Sequence, residues 1–175
     1  LKTRSVWAIL TAAVVMVLYI AYAFRNIPKK LSPWKFGVIA VIALIHDLII
    51  TIGIFVLIGS FTSFEVNTLF VTALLIILGY SVNDTIVIFD RVRENVFNQD
   101  RKDTFKEVAE RGLQQSIARS INTSLSTLIP LFALYFLGGE SIKWFVLTLI
   151  VGLIIGTYSS LFLATPLLVF WRKKK

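Results

Sequence analysis

The chain has 175 residues, of which 57% are hydrophobic and only 16% are charged, and its mean hydropathy of +0.80 is too high for an ordinary soluble domain. It contains no cysteine, which excludes a disulfide framework, a thiolate nucleophile and a cysteine metal cluster, and we expect neither a metal ion nor another cofactor. The net charge of +8 does not indicate a nucleic-acid ligand, because the basic residues cluster at the ends of apolar stretches, as in a protein of the lipid bilayer.

Five stretches are apolar and long enough to cross a bilayer, which takes about 20 mainly apolar residues. They cover residues 6–24, 36–59, 66–89, 117–137 and 144–171. The predicted fold class is therefore all-α, a polytopic membrane helix bundle that forms one domain over residues 1–175. The chain opens on Leu1 rather than Met, and its first stretch is too long for a signal peptide and lacks a small-residue cleavage site, so we expect a fragment whose N-terminal part is missing.

The basic residues alternate between the ends of these stretches. One side holds only Lys2, Arg4 and Lys143. The other side holds Arg25, Lys29, Lys30, Lys35, Arg91, Arg93, Arg101, Lys102, Lys106, Arg111, Arg119 and residues 172–175. By the positive-inside rule the basic side is cytoplasmic. We therefore expect a multi-pass protein of the cytoplasmic (inner) membrane whose C-terminus is cytoplasmic.

The longest polar segment, residues 91–116, connects the third and fourth stretches. Phe105, Val108, Ala109 and Leu113 recur at helical spacing, which predicts an amphipathic helix on the inner membrane surface with Asp103 as its N-cap. The alternative is a solvated charged connector that docks on nothing.

An acidic residue lies inside the third stretch, in the sequence GYSVNDTIVIFDRVREN (residues 79–95). Asp84 precedes Arg91 by seven residues, so at about 1.5 Å per residue it lies roughly 10 Å inside the cytoplasmic boundary. An isolated charge at the bilayer centre costs on the order of 2.5 to 3.5 kcal/mol on insertion scales. Asp84 is therefore either neutral or paired, and Arg119, at a comparable predicted depth, is the candidate partner.

Burial and a nearby guanidinium act in opposite directions on the proton affinity of a carboxylate. A movement of Arg119 relative to Asp84 would therefore load or release a proton, as a proton-coupled machine requires. The alternative is a static pair that joins two helices. Further polar residues are candidates to line a hydrated path, namely Asn83, Thr123, Thr127, His46 and Asp47. His46 and Asp47 form a second ionisable site in the second stretch, although each is equally well explained as a packing residue.

Residues 79–95 resemble the signature of the SecF members of the SecD/SecF family of protein-export membrane subunits, which are relatives of the proton-driven RND transporters. The resemblance continues through ALIHDLIITIGIF (43–55), ARSINTSLSTLIPLFALYFLGGESI (118–142) and GLIIGTYSSLFLATPLL (152–168). It implies five spanning helices that form one half of an RND-type transmembrane domain. It also implies that a first helix and an extracytoplasmic domain precede them in the complete protein.

The resemblance also implies a function and its residues. The family's proton-coupling Asp falls on Asp84, and the Arg of the following helix falls on Arg119. The implied partners are SecD, separate or fused, the SecY, SecE and SecG channel, the SecA motor and the preprotein. The implied role is non-enzymatic: with SecD, the subunit uses the proton motive force to assist export. The sequence contains no ATP-binding Gly-x-x-x-x-Gly-Lys-Ser/Thr loop, in keeping with that role.

Two other functions stay open on the sequence alone. One is half of a proton-driven efflux permease of the same superfamily, which would use similar intramembrane carboxylates. The other is a passive scaffold of the export channel, which predicts that Asp84→Asn is tolerated.

Overall fold

The computed structural model describes residues 2–23, 33–99 and 103–171. In these ranges the chain forms six α-helices: α1 (Lys2–Ala23), α2 (Pro33–Phe61), α3 (Thr68–Phe97), α4 (Phe105–Leu137), α5 (Glu140–Ser159) and α6 (Thr165–Phe170). A π-helical turn, Ser160–Ala164, joins α5 to α6. The described residues contain no strand, and the predicted all-α class is confirmed.

Four helical stretches are long and apolar enough to cross a membrane. They are Trp34–Phe61, Thr68–Phe97, Phe105–Leu137 and Glu140–Phe170, the last of which runs through α5, the π-helical turn and α6. The first predicted span falls on α1, which contains a shorter apolar segment, Leu10–Ile20. The chain is thus a multi-pass membrane protein, and the fifth span stays a prediction. Several basic residues used above for orientation lie outside the described residues: Arg25, Lys29, Lys30, Arg101, Lys102 and residues 172–175.

The amphipathic segment predicted for residues 91–116 is not a separate helix, because α3 continues through its first part and α4 contains its second part. Buried Val108 and Ala109 of α4 share a hydrophobic cluster with Val92 of α3. Gly112 permits this close approach, since a Cβ there would lie 2.8 Å from Val92 Cγ2 and 2.9 Å from the Val92 backbone nitrogen. The apolar residues therefore face the end of α3 instead of the lipid surface.

The N-terminus of α4 is capped by Thr104, one residue after the predicted Asp103. The Thr104 hydroxyl accepts a hydrogen bond from the Glu107 backbone N–H, and the Glu107 carboxylate accepts one from the Thr104 N–H, at 3.4 and 2.7 Å. This reciprocal capping box satisfies two backbone donors. Asp103 instead forms an ion pair with Arg111 at 3.2 Å.

The hydrophobic core has two clusters. In one, Phe36 and Phe89 pack edge to face with ring centroids 5.2 Å apart. In the other, the ring of Phe64 contacts Phe55, Phe70 and Trp144 at centroid distances of 5.1, 5.2 and 5.4 Å. Along α2, the buried polar residues Asp47 and Thr51 lie between Leu44 of the first cluster and Phe55 of the second. A polar layer therefore crosses the middle of the bundle.

Candidate functional site

Asp84 is buried between α3 and α4, with 7% of its surface exposed. Its Oδ1 accepts a hydrogen bond from the Ser120 hydroxyl at 2.7 Å. Its Oδ2 is buried and has no hydrogen-bond partner among the described residues. The structure thus places a carboxyl group within the span, and only one of its two oxygens is hydrogen-bonded among the described residues.

The predicted ion pair between Asp84 and Arg119 is not formed. The ion pairs within 4.0 Å among the described residues join other groups, and Ser120 occupies the position at the carboxylate. Successive helical residues point about 100° apart, so when Ser120 faces α3, Arg119 turns toward the exposed side of α4. Its guanidinium still lies close enough for coulombic attraction to Asp84.

Two cavities meet at Arg119. One, of about 440 Å³, lies where the polar end of α3 packs beside the beginning of α4. Its lining is mostly polar and consists of Val87, Arg91, Glu94, Asn95, Asn98, Gln115, Ser116 and Arg119. A smaller one, of about 180 Å³, is lined on the neighbouring side by Asp90, Arg93 and Arg119, among others. Space open to water therefore reaches the residue next to the hydrogen-bond donor of Asp84.

A line of serines on α4 continues from this site toward α5. Ser116, Ser120 and Ser124 are spaced by four residues and are all at least 95% buried. Ser124 Oγ lies 2.6 Å from Thr157 Oγ1 of α5 and 2.9 Å from the Ser120 carbonyl oxygen. The spacing of four puts the three hydroxyls on one helix face, a signal that was present in the sequence but was not used to select Ser120.

The other predicted path residues are not brought to Asp84. Asn83 is exposed, on the opposite side of α3 from the bundle core. Thr123 and Thr127 are half-buried, and the Thr127 hydroxyl donates to the Thr123 carbonyl oxygen at 3.0 Å within its own helix. A role for these three residues in a proton path stays a prediction.

The second predicted site, His46 and Asp47, is part of a buried cluster of polar side chains. Asp47 has none of its surface exposed, and its Oδ1 lies 3.1 Å from His46 Nδ1. Its Oδ2 accepts a hydrogen bond from Ser81 of α3 at 2.5 Å. Ser159 of α5, whose hydroxyl donates to the Gly156 carbonyl oxygen at 3.1 Å, lies beside the carboxylate. Asp47 thereby bonds α2 to α3 beside α5, and no pattern in the sequence selects Ser81 and Ser159 as its neighbours.

Close helix approach makes this cluster possible. A Cβ at Gly156 would lie 3.1 Å from the Ser81 Cβ, so the small residue lets α5 reach α3 at the level of Asp47. Within the described part of the chain, no group of three or more His, Asp or Glu side chains is arranged to hold a metal ion.

These features define a multi-pass membrane protein whose two buried carboxyl groups are tied to neighbouring helices by serine hydroxyls. A family model described as "Protein export membrane protein SecD/SecF, C-terminal" matches residues 1–174. The chain belongs to this family.

The similar proteins include SecF and fused SecDF subunits. The protein translocase subunit SecF of Thermobaculum terrenum is 44% identical over 174 residues, which cover 99% of this chain and 54% of that protein. The SecDF subunit of Thermus thermophilus is 38% identical over 175 residues and is covered to 22%. A crystal structure of SecDF in a super-membrane-facing form superposes with a TM-score of 0.84 at 37% identity, covering 98% of this chain and 22% of that one. This chain spans about half the length of the SecF relatives it matches.

Proposed function

We propose that this chain is the C-terminal membrane part of a SecF-type subunit that uses the proton motive force to assist preprotein export. Membership of the SecD/SecF family and the names of the translocase relatives support this role. The fused SecDF relatives support SecD as the partner half, within one chain or as a second chain. The SecY, SecE and SecG channel, SecA and the preprotein complete the proposed assembly, in which this subunit is not an enzyme.

The observation that carries the proposal is the environment of Asp84. A buried carboxylate with one unpartnered oxygen is costly to keep ionised, whereas the neutral acid needs fewer hydrogen bonds. Ser120 bonds the carboxyl group while Arg119, the adjacent residue, stands outside ion-pair distance. Rotation of α4 that exchanges Ser120 for Arg119 would bring a positive charge to Asp84 and favour release of its proton.

The orientation follows from the charges and the cavities. Lys35 at the start of α2 donates to the Trp171 carbonyl oxygen after α6 at 3.1 Å, so these two ends lie on one side of the bundle. By the positive-inside rule we assign that side, with the polar ends of α3 and α4, to the cytoplasm. The C-terminus is then cytoplasmic, and the 440 Å³ cavity opens toward the cytoplasm as the exit for protons from Asp84.

The proton motive force is large enough to drive such a movement of α4. One elementary charge that crosses the membrane potential carries about 2.3 kcal/mol per 100 mV, before any pH difference is added. In this proposal five spans of the chain form one half of an RND-type domain in the cytoplasmic membrane. Asn83, Thr123 and Thr127 then line the path where this half meets its SecD counterpart.

Export of a preprotein in cells that carry Asp84→Asn in the full-length subunit tests the function. Asn keeps the shape of Asp and can accept the Ser120 hydrogen bond, but it cannot carry a proton, so we expect export to fall to the level of cells that lack the subunit. Asp90→Asn is the matched control, because Asp90 lies on the same helix, is 48% exposed at its side chain and pairs with Arg93. Wild-type export by an assembled Asp84→Asn protein would instead support a passive scaffold, and proton-coupled efflux without an export defect would support a permease.

A further inference from the structure

Asp47 is the buried ionisable group that the proposed function leaves unused. It is completely buried at the centre of the bundle, where side chains of α2, α3 and α5 meet. Acidic side chains are almost never fully buried in this way unless they are paired or hydrogen-bonded. Its neighbours are one imidazole and two serine hydroxyls, and hydroxyls can donate to an ionised carboxylate as well as accept from a neutral acid.

The position of Asp47 along the membrane normal differs from that of Asp84. Its partner Ser81 precedes Asp84 by three residues on α3, which is about 4.5 Å nearer the outer end of that helix in the proposed orientation. One turn further outward on α2, Thr51 is completely buried, and its hydroxyl has no hydrogen-bond partner among the described residues. A proton that enters from the outer side therefore meets the level of Asp47 before that of Asp84.

His46 provides a point of access to this buried group. Its side chain is 32% exposed, whereas that of Asp47 is 1% exposed, and their closest atoms are 3.1 Å apart. The imidazole therefore reaches from the carboxylate toward the edge of the bundle. An imidazole can accept a proton at one ring nitrogen and donate one from the other, which suits it for proton exchange.

Hydroxyl groups extend from Asp47 to the part of α3 that carries Asp84. Ser160 Oγ lies 3.4 Å from the Ser81 carbonyl oxygen and 3.0 Å from Thr85 Oγ1, and Thr85 is the residue after Asp84. Ser160 begins the π-helical turn, a feature that often occurs at functional sites because it changes the direction of side chains within a helix. These contacts join Ser81, which bonds Asp47, to Thr85, the neighbour of Asp84 in the chain.

We propose that Asp47 is a second proton-binding site, located on the outer side of Asp84, and that His46 exchanges protons with it. In this step the Nδ1 proton of the imidazolium passes to Asp47 Oδ1 and leaves a neutral imidazole and a neutral carboxyl group. The other groups at the carboxylate, Ser81 and Ser159, are neutral, and the described side chains of α1 include no charged group. The proposal deepens the proton-coupled function and rests on it for its biological purpose, although occupancy of the site is measurable by itself.

Infrared difference spectroscopy tests this site on the full-length subunit with its SecD half in lipid vesicles. On mild acidification, which leaves exposed carboxylates ionised, the wild-type spectrum should gain one carbonyl band from each of the two buried carboxyl groups. Asp84→Asn should remove one band and Asp47→Asn the other, while Asp90→Asn should leave both. Ser81→Ala removes a hydrogen bond but keeps the carboxyl group, so it should shift the frequency of the Asp47 band without removing it.

The outcomes separate the two proposals. A spectrum of Asp47→Asn that is identical to wild type would overturn the second site, whether or not the Asp84 band is present. A retained Asp47 band with no change on Asp84→Asn would instead contradict the function proposed for Asp84 and leave the second site supported. If Asp47→Asn does not assemble with its partner half, Ser81→Ala decides, because an unshifted spectrum contradicts the proposal.

Discussion

At the scale of single residues, Ser120 is the side chain that connects α4 to the carboxyl group of Asp84. We predict that Ser120→Ala destabilises the protein by about 1 to 3 kcal/mol, because it leaves a buried acid without its hydrogen bond. Thermal unfolding of the purified subunit in detergent measures this loss. Ser126→Ala is the matched control, since Ser126 is an exposed serine of the same helix whose hydroxyl donates to the Thr123 carbonyl oxygen of that helix. Equal stability of the two variants would contradict the assigned role of Ser120.

The position of a carboxyl group inside the third span could be predicted from the sequence, whereas its contacts could not. An Asp inside a 24-residue apolar stretch stands out by its solvation cost alone, and the position of His46 and Asp47 indicated a second polar site. Whether Ser120 or Arg119 contacts Asp84 depends on the rotation of α4 about its axis. That rotation is determined by how α4 packs against α3, and a sequence read one helix at a time does not contain it.

At the scale of helices, Gly112 controls the distance between α3 and α4. We predict that Gly112→Ala destabilises the bundle by about 1 to 3 kcal/mol, because its Cβ would lie within 3.0 Å of three atoms of Val92, two of them backbone atoms. Gly79→Ala is the control, since a Cβ there meets no atom within 4 Å and alanine favours the helix. Chemical unfolding of both variants measures the difference. A stabilising effect of Gly112→Ala would show that the two helices are not in close contact at this level.

The capping box at the start of α4 gives that helix a pH dependence. The hydrogen bond that the Thr104 backbone N–H donates to the carboxylate, with the Thr104 side chain beside it, holds the pKa of Glu107 below its usual range. The stabilisation is therefore present above the unfolded-state pKa of about 4.3 and is lost as the pH falls through the lower folded-state value. The protection of amides in the first turn of α4, measured as the exchange rate relative to that of an unstructured peptide at the same pH, should fall in this acid range. Glu107→Gln should remove that dependence, and an unchanged profile would contradict the assignment.

The sequence did not predict that α4 is one continuous helix. The sequence predicted an amphipathic connector over residues 91–116 and a separate span over residues 117–137. The structure shows one helix from Phe105 to Leu137, because the apolar face that looked ready for lipid packs on the extended end of α3. The periodicity of apolar residues does not show whether an apolar helix face contacts lipid or another helix.

At the scale of the whole molecule, the spans differ in how much of their surface is buried against other helices. In the most apolar part of α4 only 11% of the residues are buried, against 50% in α3 and in the last span. Asn83 also presents an amide on an exposed face of α3, in the middle of a span. Polar side chains within a membrane almost always face other protein or water, so both features agree with the proposal that this chain is one half of a larger membrane domain.

The most direct test of the account is proton uptake by vesicles that contain the complete subunit with its SecD half. An inward proton gradient is imposed, and the internal pH is followed with a trapped dye for the wild type, Asp84→Asn and the control Asp90→Asn. We predict that wild type and Asp90→Asn acidify the lumen, while Asp84→Asn does so no faster than vesicles without protein. Wild-type uptake by a correctly assembled Asp84→Asn variant would contradict the claim that Asp84 carries the proton.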